Sequence, residues 1–334
     1  MLAELWVINN FGQYQGTPDR SSLYLHDALD IVLPNGTPIR AVAPGRVVAE
    51  FGGSEYYRTM IVEDEDRPGY GWGYTHINHF TVAPGDEVHR GTVLGLVYFH
   101  GLPHVHLSRY KLRPGFDWEG AAGLLAMHPD TFFVYPDSEP PVFEDLGFRY
   151  VRHGTDSAFV AVEPDGVATV SGDVDIVVGL RDAGEWTRGG PEGFGNRHSV
   201  TRIEYEIAGP DGVHVSAVAF DLLATLLPVD HTGQVDRTLT LYQHYESVDP
   251  PAPSPGHSNA RFGFYMITNS DGREPEPGTV LDPSDRAHAW RTGATDEVGR
   301  SLFPDGEYVV TVTAYDSRGN ASSRSEVVRV ENGG

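Results

Sequence analysis

The chain has 334 residues, 40% of them hydrophobic, which is ample for packed cores and sets an expectation of two domains or one large one. With 24 Lys and Arg against 47 Asp and Glu, the net charge of -23 argues against a nucleic-acid partner, since affinity for that polymer rests on neutralised phosphates; it suits solubility at high ionic strength or a cationic partner. The absence of cysteine excludes disulfides and thiolate metal sites, so any metal must be held by His and carboxylates, and no apolar run is long enough to be a transmembrane segment.

Met1 to Gln13 lacks the basic start and small-residue cleavage site of a signal peptide, which leaves open a mature or trimmed form and a cytoplasmic protein. Short β-prone runs follow at Thr37 to Glu50, Thr59 to Val62, Val88 to Phe99 and His104 to Tyr110. Turn signals at Pro34-Asn35-Gly36, Pro44-Gly45, Gly52-Gly53, Pro68-Gly69 and Pro84-Gly85 separate them, so residues 1–136 are expected to form an antiparallel β domain. Within it only Gly120 to His128, carrying Ala121, Ala122, Leu124, Leu125 and Ala126, reads as a short helix packed on the sheet. Residues 137–145, the body of a stretch rich in Pro and acid, are expected to be an extended linker. Over residues 146–332, alternating runs at Asp173 to Leu180, Val200 to Ile207, Val213 to Phe220, Glu307 to Tyr315 and Ser323 to Val330 alternate with Asp-Gly turns and predict a β-sandwich. The stretch from about 221 to 299, with Pro250 to Gly256 inside it, is too long for one loop and is expected to be a partly ordered insertion or part of a wider sandwich. The predicted fold class is therefore all-β.

Three His-bearing segments of the first domain carry the chemistry. In the strand that begins His104-Val105-His106-Leu107, residues two apart share a face, so the imidazoles point one way and Val105 and Leu107 point into a core. Their Cα atoms are then about 6.6 Å apart, a spacing that suits one metal ligand with a second imidazole beside the metal. His26-Asp-Ala-Leu-Asp30 is flanked by strand-like residues, and in a straight strand its two end residues would lie about 13 Å apart. If both bind one ion, the chain must bend between them. Tyr74-Thr-His76 is an aromatic-rich strand end that can bring His76 to the same cleft. Trp72 and Tyr74 suit either a groove wall or buried packing. His79, His89 and His100 read as surface residues, and His198, His214, His231, His244, His257 and His288 show no ligand spacing.

Taken together, His26xxxAsp30, Tyr74-Thr-His76-Ile, the run Val82-Ala-Pro-Gly to Thr92-Val-Leu-Gly95, and Pro103-His104-Val-His106 resemble the M23 metallopeptidase family, the LytM and lysostaphin-like endopeptidases. Asn35 to Val48 is similar to that family's strand pair after the first ligands, and the resemblance spans about Leu25 to Leu107. It implies an antiparallel M23-type peptidase fold and one Zn2+ per chain held by His26, Asp30 and His106. It further implies that His104 is the general base, and that His76 stabilises the oxyanion or shares proton transfer. The implied substrate is a peptide bond of bacterial peptidoglycan or another peptide, and the implied location is extracellular or in the cell envelope. Pro304 to Asn320 likewise resembles the last hairpin of immunoglobulin-like or fibronectin-like modules. The sequence departs from the M23 pattern at Ala28, where the family usually has Gly, at Leu107-Ser108-Arg109 after the His pair, and in the bulky loop Tyr98 to Pro103. The alternative expectation is a non-catalytic envelope protein that uses this fold to bind or regulate another cell-wall hydrolase. A third is an adhesion or structural protein.

Overall fold

β-Branched and aromatic runs bounded by Gly and Pro fold as strands throughout the described residues, whose architecture is nearly all β. The computed structural model describes residues 6–15, 23–129, 137–145, 147–155, 166–182, 198–230, 234–242 and 263–333. The Pro250 to Gly256 run, His231, His244 and His257 lie outside the described residues.

A 10-stranded sheet carries the candidate site. Its path runs from Glu87–Val88 through Gly45–Phe51, Thr59–Asp64 and Tyr70–Thr75 to His104–Leu112, then Leu124–Met127, Thr225–Pro228 and Thr279–Val280. Leu29–Val32 pairs with the first half of His104–Leu112, and Val7–Asn9 pairs with Leu29–Val32. A 3-stranded sheet of Pro38–Arg40, Val93–Val97 and Ile77–Asn78 accompanies it. Ile39, Val47, Met60, Trp72, Tyr74, Ile77, Leu94, Val105 and Leu107 share one buried core that joins the two sheets. Trp72 and Tyr74 are therefore packing residues, and the Tyr74 hydroxyl accepts from the Val42 amide at 2.9 Å.

The expected helix at Gly120 to His128 is not formed. Ala121–Gly123 makes one 3-10 turn and Leu124–Met127 is a strand between His104–Leu112 and Thr225–Pro228. Leu124, Leu125 and Ala126 are all buried, so the run lacks the in-out alternation that distinguishes a half-exposed strand, and periodicity alone does not separate it from a buried helix. Gln234–Leu241 is the one α-helix among the described residues.

The second half forms two 5-stranded sheets. One is built on Asp173–Arg181 and the other on Arg202–Gly209, Gly306–Tyr315 and Ala321–Val330. Val174, Ile176, Val178 and Leu180 of the first share a core with Ile203, Ile207, Val310 and Val312 of the second, as a sandwich requires. That core also takes in Phe11, Tyr14, Leu25, Tyr110 and Leu124, so the two halves of the chain bury apolar surface together. Of the expected insertion, Thr225–Pro228 and Thr279–Val280 extend the sheet of the first half. Of the expected linker, Val142–Phe143 pairs with Asp173–Arg181, and the Pro141 carbonyl accepts from the Ser322 hydroxyl at 2.6 Å.

Candidate metal and catalytic site

The central element is the His104–Leu112 strand, flanked on one side by Leu29–Val32 and on the other by Tyr70–Thr75. Register sets His106 directly between Asp30 and Thr75. The expected bend between His26 and Asp30 is present: Tyr24–Leu25 ends, the chain turns at Ala28, and Leu29–Val32 begins. Ala28 is fully buried and does not take a positive φ, so the bend needs no glycine. It brings His26 Nε2 to 3.2 Å from Asp30 Oδ2.

His106 Nδ1 lies 2.9 Å from Asp30 Oδ1 and 3.1 Å from His26 Nε2. His104 shares that face, its Nε2 at 3.6 Å from Asp30 Oδ1, while Val105 and Leu107 are buried in the core. His76 leaves the end of Tyr70–Thr75 at φ 61, a left-handed conformation that costs a non-glycine residue energy. The turn carries the chain from the large sheet into Ile77–Asn78 of the small one and leaves the His76 ring 4.5 Å from that of His104 and 6.0 Å from that of His106. All five imidazole and carboxylate residues named from the sequence thus converge.

Hydrogen bonds fix which nitrogen of each ring faces the cluster. His26 Nδ1 donates to the Asn10 carbonyl at 3.0 Å, His104 Nδ1 to the Leu102 carbonyl at 2.7 Å, and His76 Nδ1 to the Tyr56 carbonyl at 2.7 Å. Each therefore turns Nε2 inward, whereas His106 points Nδ1 inward and donates Nε2 to Asp27 Oδ1 at 3.1 Å. Burial pushes the His106 imidazole down, but the carboxylates of Asp27 and then Asp30 outweigh it and raise it to about 10. Burial likewise pushes Asp30 up, yet His26, His104 and His106 hold it well below the usual carboxylate range. His76 is lowered to about 4 by burial and then by the neighbouring His104 and His106.

Sequence reasoning missed the residues that hold these side chains. Asp27 orients His106 and stands 3.4 Å from the Tyr110 hydroxyl, which donates to it. Asn9 Nδ2 donates to Asp30 Oδ2 at 2.7 Å. An aromatic rim of Tyr56, Tyr57 and Phe99 borders the imidazoles, with Phe99 4.4 Å from His76 and 4.9 Å from His104, ring to ring. An acid next to His26 and a bulky pair before the His104 strand are visible in the sequence, but nothing in their spacing tells orienting residues from solvated ones. His79, His89 and His100 are exposed; His100 lies against the rim, on Tyr56 at 4.8 Å, and His79 on Tyr98 at 5.8 Å. Carboxylates of Asp137, from the 137–145 segment, and of Asp182 and Asp316 in the second half also gather, but that cluster contains no imidazole, and Asp316 accepts the amides of Arg318 and Asn320.

The donor set of His26, Asp30 and His106 fits zinc. One ligand atom from each lies within 4.8 Å of the others; the two imidazole nitrogens are 3.1 Å apart, and Asp30 brings Oδ1 to 2.9 Å from His106 and Oδ2 to 3.2 Å from His26, near the roughly 3.3 Å expected between donors about 2.0–2.1 Å from one tetrahedral centre. Two imidazoles and one carboxylate match the metal's preference, and both imidazoles donate their outer nitrogen to an oxygen, as ligating histidines do.

Residues 24–117 match the description Peptidase family M23. Among solved structures, the chain is similar to LytU at 26% identity, covering 38% of this chain and 83% of that one, with a TM-score of 0.31. It is similar to the catalytic domain of the antimicrobial peptidase lysostaphin from Staphylococcus simulans at 23% identity, covering 37% and 87%, with a TM-score of 0.29. A variant catalytic domain of the prophage-encoded M23 protein EnpA from Enterococcus faecalis shares 24% identity over 40% of this chain and 95% of that one, with a TM-score of 0.29.

Proposed function

We propose, from the peptidase M23 domain carried by residues 24–117, that this protein is a zinc-dependent endopeptidase acting on peptide bonds of bacterial peptidoglycan, in the cross-bridge or the stem peptide. The observation that carries the reading is the convergence of His26, Asp30 and His106 with the inward Nε2 atoms of His104 and His76 beside them. His26, Asp30 and His106 would hold one zinc, which supplies a Lewis acid and lowers the pKa of a water toward 7.

The remaining chemistry belongs to the chain. His104, its Nδ1 proton committed to the Leu102 carbonyl, presents a bare Nε2 that can accept a proton from the attacking water and return it to the leaving amine. His76 is built the same way, and its depressed pKa keeps it neutral at pH 7. Of its two expected roles, this geometry favours proton sharing, because a neutral His76 has no hydrogen left to donate to an oxyanion. Phe99 packs on both rings and limits their rotation. Around the domain, we read the second half as an immunoglobulin-like sandwich that begins after the 137–145 segment, and the protein as extracellular or envelope-associated. No described helix is long and apolar enough to cross a membrane.

The test is release of new amino groups from purified peptidoglycan with and without a chelator. Chelator-sensitive release supports the endopeptidase, and no release from any peptidoglycan type in the presence of bound zinc overturns it.

A further inference from the structure

His26 is not held by the M23-like region alone. Residues 9–13 wrap around it: Gly12 donates its amide to the His26 carbonyl at 2.7 Å, the His26 amide donates to Gln13 at 2.9 Å, and the Asn10 carbonyl receives the Nδ1 proton that leaves Nε2 facing Asp30. Asn9, in the same segment, holds Asp30. Two of the three candidate ligands are therefore aimed by one short stretch of chain, His26 through the Asn10 carbonyl and Asp30 through the Asn9 side chain.

That stretch is gripped by the second half of the chain. Asn10 and Ser199, both buried, are paired through Ser199 N to Asn10 Oδ1 at 2.8 Å and Asn10 Nδ2 to the Ser199 carbonyl at 2.9 Å. The Ser199 hydroxyl donates to the Phe11 carbonyl at 2.7 Å, the Tyr242 hydroxyl to the Gly12 carbonyl at 3.0 Å, and His198 Nε2 to the Val7 carbonyl at 3.2 Å. Leu222 presses on Gly12, at φ 77, so closely that a Cβ there would stand 2.3 Å from Leu222 Cδ1. These are directional, desolvated contacts, and losing one leaves a buried polar group unpaired.

We infer that the C-terminal half completes the metal site, with Ser199 and Asn10 acting as positioning residues that lock the Asn10 carbonyl and so fix the tautomer and aim of His26. The inference rests on the zinc reading of His26, Asp30 and His106. Orienting partners of this kind set metal affinity by roughly tenfold to hundredfold. By linkage, zinc bound at His26 stabilises the junction with the second half.

The test measures zinc affinity by chelator competition in the full-length chain for the wild type, Ser199→Ala and Asn10→Ala. Val312→Ala serves as a control, since it lies in the sandwich core and makes none of these hydrogen bonds. A 15N spectrum of the His26 ring reports its tautomer independently of zinc. The expected result is a loss of about tenfold or more in zinc affinity for Asn10→Ala, with a mixed His26 tautomer, and a smaller loss in the same direction for Ser199→Ala, which removes the hydroxyl bonds and keeps the main-chain pair with Asn10. Val312→Ala, although less stable to heat, should keep wild-type affinity and a single Nδ1-H tautomer. Wild-type affinity in Ser199→Ala and Asn10→Ala, or an equal loss in Val312→Ala, overturns the inference while leaving the zinc reading intact. A wild-type chain that binds no zinc overturns both. If either junction variant fails to fold, the other carries the comparison. If both fail, the His26 tautomer in Tyr242→Phe, which loses the hydroxyl bond to Gly12 together with the contact to the Tyr265 hydroxyl, decides it: a single wild-type tautomer overturns the inference.

Discussion

His106 sits between two carboxylates, and its chemistry follows from that position. Because Asp27 and Asp30 raise it to about 10, zinc must displace a proton to bind at Nδ1. Zinc uptake at pH 7 is therefore expected to release a proton, read by calorimetry in buffers of different ionisation enthalpy, and affinity should rise with pH. In the zinc-free protein the raised pKa stabilises the fold fully below the ordinary value of 6.5 and loses that contribution as pH rises toward 10. His76, lowered to about 4, contributes in the opposite sense: its share is present above 6.5 and lost as pH falls toward 4. Thermal melts of chelated wild type should decline from pH 7 to 10, and His106→Ala should lose that decline. Asp27→Asn is expected to weaken zinc by about tenfold to hundredfold by loosening His106, measured by chelator competition. His104→Ala should keep stoichiometric zinc and lose turnover, and a variant that lost both would assign His104 to the ligand set instead.

At the scale of elements, the site is made by strand register and one bend. The alternation in His104-Val105-His106-Leu107 announced a strand with both imidazoles on one face, and the structure has that arrangement. The distance argument at His26 and Asp30 required a bend, and it lies at Ala28. What spacing could not give was the partner strand: that His106 pairs across from Asp30 is a long-range register, visible only once Leu29–Val32 and His104–Leu112 are side by side. The Leu124–Met127 run was misread for the complementary reason, since burial on both faces erases the periodic signal. Gly73, in the strand on the other side of His104–Leu112, lets the Tyr110 ring lie across it; a Cβ there would be 2.3 Å from Tyr110 Cε2. Gly73→Ala is expected to destabilise the fold by about 1–3 kcal/mol through overpacking, read from chemical denaturation. It should also disturb the Tyr110 hydroxyl that reaches Asp27.

Across the whole molecule, the two halves share a sheet, a core and the clamp on residues 9–13. Composition and turn signals foresaw β structure in both halves, but the stretch from about 221 to 299 carried no sign that Thr225–Pro228 would pair with Leu124–Met127. Such pairing between distant residues has no local signature. A chain truncated after Asp145 would expose the Leu124–Met127 edge and the apolar residues Phe11, Tyr14 and Leu25, so it is expected to be poorly soluble and to lack a cooperative melt. Recovery of a soluble fragment that melts cooperatively and binds zinc like the full chain would contradict that view of the junction.

The most direct test of the central claim is the zinc content of the purified full-length chain beside that of His106→Ala, measured by elemental analysis after exposure to zinc and removal of the excess. The convergence of His26, Asp30 and His106 predicts one zinc per chain in the wild type and none in the variant. A wild type without zinc, or a His106→Ala chain that retains it in full, would contradict the metal centre.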